Sequence, residues 1–513
     1  MSKRLTSTIA GAFIFITVIN ILSRGLGFFR EMLFANYFGM GHTFDIYLVG
    51  AVIPLTINVI MLYFAQNYFI PAYNKVKTSD SYQPGEFFNN VLNLFALGSI
   101  ILSILLYLFS ESIVGLYLHT SNSVSYKIAL DIFKIFLITI PLNSVISVII
   151  AYNQAEFEFK FPAISRLLLN LMIIVVLFFF TRKLGIYVIP IGFITGSALQ
   201  LIYLFLKINL RVKPSLSFIF KKKLDKSIFD FTIVNILVIE TISQMYLLVD
   251  RYFFTEVNEG GISALNYSMI LYVLPVSMIS IALATVIFPK FSANIQNKKF
   301  DELNKNVIDA IRANLFIFVP VTFFFLLYGN DLIRLLFERG KFTAQDSQIA
   351  FNVLKYYAVS LIFYSAYSIY NKIIYSTSLI NALLTITLGG IIIKIILNFS
   401  LVHSYQQNGL AFSTSVSYIF LFLLSMLLIY HKIPGIKQSV FFKELVFYLF
   451  NGIICFFIVE ILFSGILRIY ILQDLFKMVI FYAFFLLNLK LANHGSIQLA
   501  GSIIRNLRDV RSI

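Results

Sequence analysis

Apolar runs long enough to cross a bilayer follow one another along nearly the whole chain, and this recurrence constrains the fold more than any motif. A transmembrane helix needs about 20 consecutive apolar residues, and by that measure there are about fourteen runs. They fall near 5–36, 44–70, 87–110, 127–152, 158–181, 187–208, 228–254, 262–289, 308–329, 348–374, 379–402, 408–430, 442–464 and 471–492. Backbone polar groups in hydrocarbon must be satisfied within the span, so runs of this length are helices. A chain of 513 residues that is 59% hydrophobic and 12% charged, with mean hydropathy +0.87, is not a soluble domain. The expected fold is an all-α polytopic membrane protein. Lys3 and Arg4 precede the first run and no A-x-A cleavage site follows, so that run is expected to be retained as a helix.

Against this background the charges inside the runs stand out. Residues 23–54 carry Arg24, Arg30, Glu31 and Asp45 at membrane depth. Such groups cost about several kcal/mol each in lipid, so they face one another, a wet cavity or a charged ligand. Arg24 and Glu31 share a helix face. A turn at Gly39 and Gly41 returns the chain, Asp45 opens the next helix, and Pro54 interrupts it. An interrupted helix is tolerated where backbone lines a cavity. The pattern predicts an anion-binding cavity. Salt bridges that simply lock two helices together are the other reading.

The net charge of +16 would suggest nucleic acid in a soluble chain. Here the lysines and arginines gather in alternate loops, including 75–77, KKKLDK at 221–226, 290–312, 431–443 and the tail with Arg505, Arg508 and Arg511. That bias places both termini in the cytoplasm. Arg182 and Lys183 fit this topology least well. Residues 331–347 are too polar to span and read as an amphipathic outer segment that includes Arg339 and Lys341.

Sliding the chain by 221 residues brings features into register: Arg30 with Arg251, Gly39 with Gly260, Pro54 with Pro275, Ala129 with Ala350 and Lys134 with Lys355. An offset of about six helices keeps both halves in the same orientation, which describes two parallel lobes around a central cavity. The expected division is 1–221, 222–432 and a remainder 433–513 with the last two helices. Gly39, Pro54, Gly260 and Pro275 are the candidate hinges, and Arg339 and Lys341 the candidate outer gate.

The residues Ser23-Arg24-x-Leu26-Gly27-Phe28-x-Arg30-Glu31, then Phe38-Gly39, Asp45, Pro54 and Pro71, resemble the MurJ/MviN family of lipid II flippases in the MOP superfamily. VDRYF (249–253), SALNY (263–267) and LLFERGKFTAQDS (335–347) look like further family segments, in the family's order. The resemblance implies a carrier for an undecaprenyl-diphosphate-linked glycan, moved from the inner to the outer leaflet of the bacterial cytoplasmic membrane. It implies membrane lipid and cell-wall or polysaccharide synthesis machinery as partners, with no cofactor and no nucleic acid. It implies substrate contacts at Arg24, Arg30, Glu31, Asp45, Asn58 and Arg251, and a lipid-tail groove at the last two helices. Two departures stand out. Asn58 occupies a place where the family has arginine, and 268–273 lacks the family's arginine and glutamate. A flippase for O-antigen, capsule or exopolysaccharide precursors, and then a MATE-like cation-coupled exporter, are the other readings.

No G-x-x-x-x-G-K-[ST] or H-E-x-x-H motif is present, and the five histidines are scattered, so neither ATP hydrolysis by a P-loop nor zinc chemistry is expected. An enzyme is not expected, and no metal site is. Transport must then draw on a gradient, the membrane potential or consumption of product. Some members of the resembled family bind a cation between helices 7, 11 and 12, which implies Asp250, Lys394, Asn398 and Thr414 as coupling candidates. Lys394 and Asn398 share a helix face. Lys394 sits in the apolar run 389–399 and needs a partner, either Asp250 or Glu240, unless it snorkels to the interface.

Overall fold

The computed structural model describes residues 9–78, 83–118, 122–208, 212, 214, 231–377, 379–463, 470–492 and 494–495. Lys3, Arg4, the KKKLDK run and the tail arginines lie outside them. Every regular element among the described residues is helical. In chain order the helices are α1 (Ile9–Phe38), α2 (His42–Phe64), α3 (Ile70–Lys77), α4 (Pro84–Leu108), α5 (Ser110–Tyr117) and α6 (Ser123–Leu137). They continue with α7 (Thr139–Ala155), α8 (Lys160–Leu184), α9 (Val188–Ile208), α10 (Phe231–Tyr252), α11 (Gly261–Pro275) and α12 (Ile281–Gln296). The rest are α13 (Phe300–Phe337), α14 (Ala344–Ala358), α15 (Leu361–Tyr375), α16 (Ile380–Lys432), α17 (Ser439–Phe463) and α18 (Tyr470–Leu491).

Among the described residues, eight helical stretches are long and apolar enough to cross a membrane, or nine if the bent pair α14–α15 is one span. Two of them, 160–208 and 380–432, each hold two of the expected runs. In α16 the break falls at Gln406, whose φ of 49° lies in the left-handed region. Proline marks other irregularities, since it lacks an N–H and crowds the preceding turn. A π-turn at Ala65–Phe69 runs up to Pro71, and another at Val276–Ser280 follows Pro275.

The expected outer segment 331–347 is corrected in part. Residues 331–337 continue α13, where Arg334 pairs with Asp331 at 3.6 Å and with Glu338 at 3.1 Å. The turn that follows ends at a capping box, in which Thr343 and Asp346 satisfy each other's backbone N–H to start α14.

Two helix breaks fall at the same place in the 221-residue register. One separates α6 from α7 at Ile138 within the single apolar stretch 123–155, the other separates α14 from α15 at Val359–Ser360, where the helices bend by 47°. At each bend a hydroxyl donates to the carbonyl three residues back: Thr139 to Phe136 at 2.7 Å, Ser360 to Tyr357 at 3.0 Å. Back-bonded hydroxyls of this kind bend helices. The first bend also has Pro141, which leaves the Leu137 carbonyl without its helical donor, and the Ser103 hydroxyl takes that place at 3.2 Å.

The chain divides into two compact units. The first runs to Ser263 and includes Arg339–Phe342; the second takes Ala264–Glu338 and continues from Thr343. In the first unit, Phe69, Tyr73, Phe87, Phe88 and Tyr152 form a ring-on-ring core under α3, α4 and α7. Here α2 approaches α6 so closely that a Cβ on Gly50 would lie 2.5 Å from the Ala129 carbonyl oxygen. In the second unit α11 meets α14 at the repeat-related carbonyl, with the Ser268 hydroxyl donating to Ala350 at 2.7 Å.

Candidate functional site

The polar face of α1 is built against α8. Gly27 has no side chain, and a Cβ there would already touch the Asn170 amide at 3.7 Å. Asn170 then serves as the joint. Its Nδ2 donates to the Arg166 carbonyl at 3.2 Å and the Ser23 carbonyl at 3.4 Å, and its Oδ1 accepts from Arg30 Nη1 at 2.9 Å. The rest of the Arg30 fork closes on Glu31 Oε1, at 3.2 Å from Nε and 2.5 Å from Nη2. The guanidinium carbon sits 5.1 Å from the Phe193 ring centroid and 5.6 Å from that of Phe34. Arg30 is thus held on every edge and against two aromatic faces, with both members of the ion pair only 17% exposed. Arg24, one turn and a half earlier, is exposed and lies within electrostatic reach of Arg166 on α8.

Asp45, implied as a substrate contact, is placed by the structure on the start of α11. Its oxygens accept from the Gly260 N–H at 2.7 Å, the Ser263 N–H at 2.7 Å and the Ser263 hydroxyl. A carboxylate at a helix N-terminus satisfies unpaired donors and meets the positive end of the helix dipole. Arg251, buried beneath the same loop, donates to the Ile262 carbonyl at 3.4 Å and adds positive charge near Asp45. The turn at Gly39 depends on glycine. Its φ is 64°, and a Cβ would sit 2.5 Å from the Lys341 carbonyl oxygen. Gly260, at φ 80°, faces the Met40 carbonyl in the same way. The Lys341 N–H donates to the Asn36 carbonyl at 2.9 Å, while the Arg339 and Lys341 side chains remain exposed.

Asn58 and Pro54 both lie on α2. The Asn58 amide donates to the Thr139 hydroxyl at 2.8 Å, so this side chain is committed to the α6–α7 bend. In the second unit, the two halves of α16 face each other past Gln406. Lys394 is fully buried and its ammonium donates to Thr414 Oγ1 at 2.6 Å. Asn398, one turn further on, is fully buried as well. Lys394 therefore does not snorkel. Asp250, on α10 in the first unit, is also buried.

Residues 34–488 match the family model described as lipid II flippase MurJ. The chain belongs to the MurJ family. It is 27% identical over 470 residues to the probable lipid II flippase MurJ of Borreliella burgdorferi, covering 89% of this chain and 88% of that one. It is 28% identical over 422 residues to the lipid II flippase MurJ of Thermosipho africanus, covering 79% and 82%. A solved lipid II flippase MurJ in an inward closed conformation shares the fold, with TM-score 0.78, 24% identity, and 92% and 98% of the two chains covered. An inward-facing MATE family transporter of the MOP superfamily shares it more distantly, with TM-score 0.67, 12% identity, and 84% and 99% covered. MurJ membership places the chain among transporters, not enzymes.

One residue of this polar face, Arg166, is not among those that the sequence singles out. Arg166 lies near the start of the run 158–181, where it passes for an ordinary flanking charge. The signal that identifies it is Asn170, four residues on and therefore on the same helix face.

Proposed function

We propose that this chain translocates lipid II, a polyprenyl-diphosphate-linked peptidoglycan precursor, from the inner to the outer leaflet of the bacterial cytoplasmic membrane by alternating access. The observation that carries the reading is the MurJ family match across residues 34–488. The physical demand agrees with it. A diphosphate and its sugars cannot enter hydrocarbon unaided, whereas the lipid tail can remain there. Arginines set within apolar spans suit such a cargo, because a guanidinium fork matches phosphate oxygens in geometry as well as charge.

In this reading Arg24 and Arg30 meet the diphosphate and Glu31 fixes Arg30. Asp45 and Arg251 shape the entrance to α11, and Asn58 contributes through the α6–α7 bend. The transport lobes are 1–221 and 222–432, followed by 433–513, with both termini cytoplasmic. Gly39, Pro54, Gly260 and Pro275 absorb the motion. Lys394, Asn398 and Thr414 form the coupling group, to which the family resemblance adds Asp250. Enzymes that make or polymerise the cargo are the expected neighbours.

The test is complementation. A strain depleted of its own lipid II flippase should grow when this chain is expressed. A chain that reaches the membrane intact and fails to restore growth, yet restores a strain lacking a polysaccharide-precursor flippase, would overturn lipid II as the substrate.

A further inference from the structure

We propose that Arg166 adds a third guanidinium to Arg24 and Arg30 in receiving the diphosphate, with Arg30 held in place by Glu31 and Asn170. This assignment rests on the diphosphate-carrier reading above.

The three arginines meet where α1 packs on α8, yet their surroundings differ. Arg30 is occupied: Nε and Nη2 serve Glu31, Nη1 serves Asn170, and two aromatic faces confine the plane. Arg166 is half-buried within the span, and among the described residues its guanidinium makes no hydrogen bond or ion pair. Its electrostatic neighbours are Arg24 and the Tyr63 hydroxyl, and Tyr63 also feels Glu240. An arginine without a partner at membrane depth is costly, and a second arginine beside it raises the cost. An entering anion offsets both.

Position is fixed by Asn170, which accepts from Arg30 while donating to the Arg166 carbonyl. Asn58 gives its amide to Thr139, so α2 offers no cation at the place where the family carries arginine. In this chain the third guanidinium comes from α8.

The test uses the full chain in nanodiscs of zwitterionic lipid, with a short-chain polyprenyl diphosphate as probe and the polyprenyl alcohol of equal length as its uncharged control. Arg166→Ala should weaken diphosphate binding about ten- to a hundredfold, the loss expected for one charge-assisted donor. Arg166→Lys should fall between the two, because charge remains and the fork is lost. Alcohol binding should not change. The melting temperature of Arg166→Ala should hold or rise, since an uncompensated charge has been removed. Equal diphosphate affinity in the alanine variant would overturn the assignment and leave the function standing. A lowered melting temperature with equal loss for both probes would make Arg166 structural and also overturn it. An unmodified chain that does not prefer diphosphate over alcohol would overturn the diphosphate reading itself, and this inference with it.

Discussion

Replacing Asp45 by alanine tests whether this carboxylate is the joint that the geometry describes. The side chain is 1% exposed and accepts from two backbone N–H groups, each at 2.7 Å, and from the Ser263 hydroxyl. Loss of a helix cap costs about 0.5–2 kcal/mol. Each buried N–H left without an acceptor costs about 1–3 kcal/mol. The terms overlap, because one carboxylate serves all three donors, and a combined loss of about 3–5 kcal/mol is expected. With about 2–4 °C of melting temperature per kcal/mol for a unit of 150–250 residues, Asp45→Ala should melt at least about 6 °C lower. The assay is thermal melting of the purified protein in detergent, followed through a fluorophore or by aggregation. Asp45→Asn should be nearly as damaging. Its one carbonyl oxygen can serve one N–H, while its NH2 turns a donor toward the other. An alanine variant that melts within about 2 °C of the unmodified protein would refute the reasoning, because a cap with two buried backbone donors cannot be that inexpensive.

Other expectations follow from the same contacts. Arg30→Ala should abolish complementation while the protein still reaches the membrane, and Arg30→Lys should restore it only in part, because the fork to Glu31 and Asn170 is lost; full activity of the alanine variant at normal expression would refute this. Cysteines at the exposed positions Arg339 and Lys341 should react with a membrane-impermeant thiol reagent added outside cells, whereas labelling only after lysis would reverse the proposed orientation. Transport by the unmodified protein should proceed without sodium, because the buried Lys394 ammonium already supplies a cation to Thr414, and Lys394→Asn should introduce sodium dependence; sodium-stimulated transport by the unmodified protein would refute the idea.

The helices were legible in the sequence because hydrocarbon tolerates little else, and the helical segments fall close to the apolar runs. What the runs could not show was where a helix bends without leaving the membrane. Ile138 and Val359 interrupt stretches whose hydropathy continues unbroken, whereas Gln406 falls in the polar gap between two runs. At the site, Arg30 and Glu31 were legible as membrane-depth charges, but a helical wheel set Glu31 on the face of Arg24 and missed that two long neighbouring side chains can fold onto each other. The partners of Asp45 were hidden for another reason. Gly260 and Ser263 lie 215 and 218 residues away, and nothing local in either segment announces the other. Arg166 was hidden by position, since an arginine near the start of an apolar run looks like an interfacial anchor until Asn170 is noticed beneath it.

The paired bends have a consequence for how such a chain can change over time. Pro141 sits at the first bend, and Ile362 stands at the matching place of the second. The hydroxyls of Thr139 and Ser360 are common to both. A bend that persists where proline is missing does not owe its existence to proline. Residue 141 is therefore open to substitution without straightening the span, provided that the Ser103 hydroxyl can release the Leu137 carbonyl. Position 139 tolerates far less drift, because the same hydroxyl turns its own helix and receives the amide of Asn58 from the next.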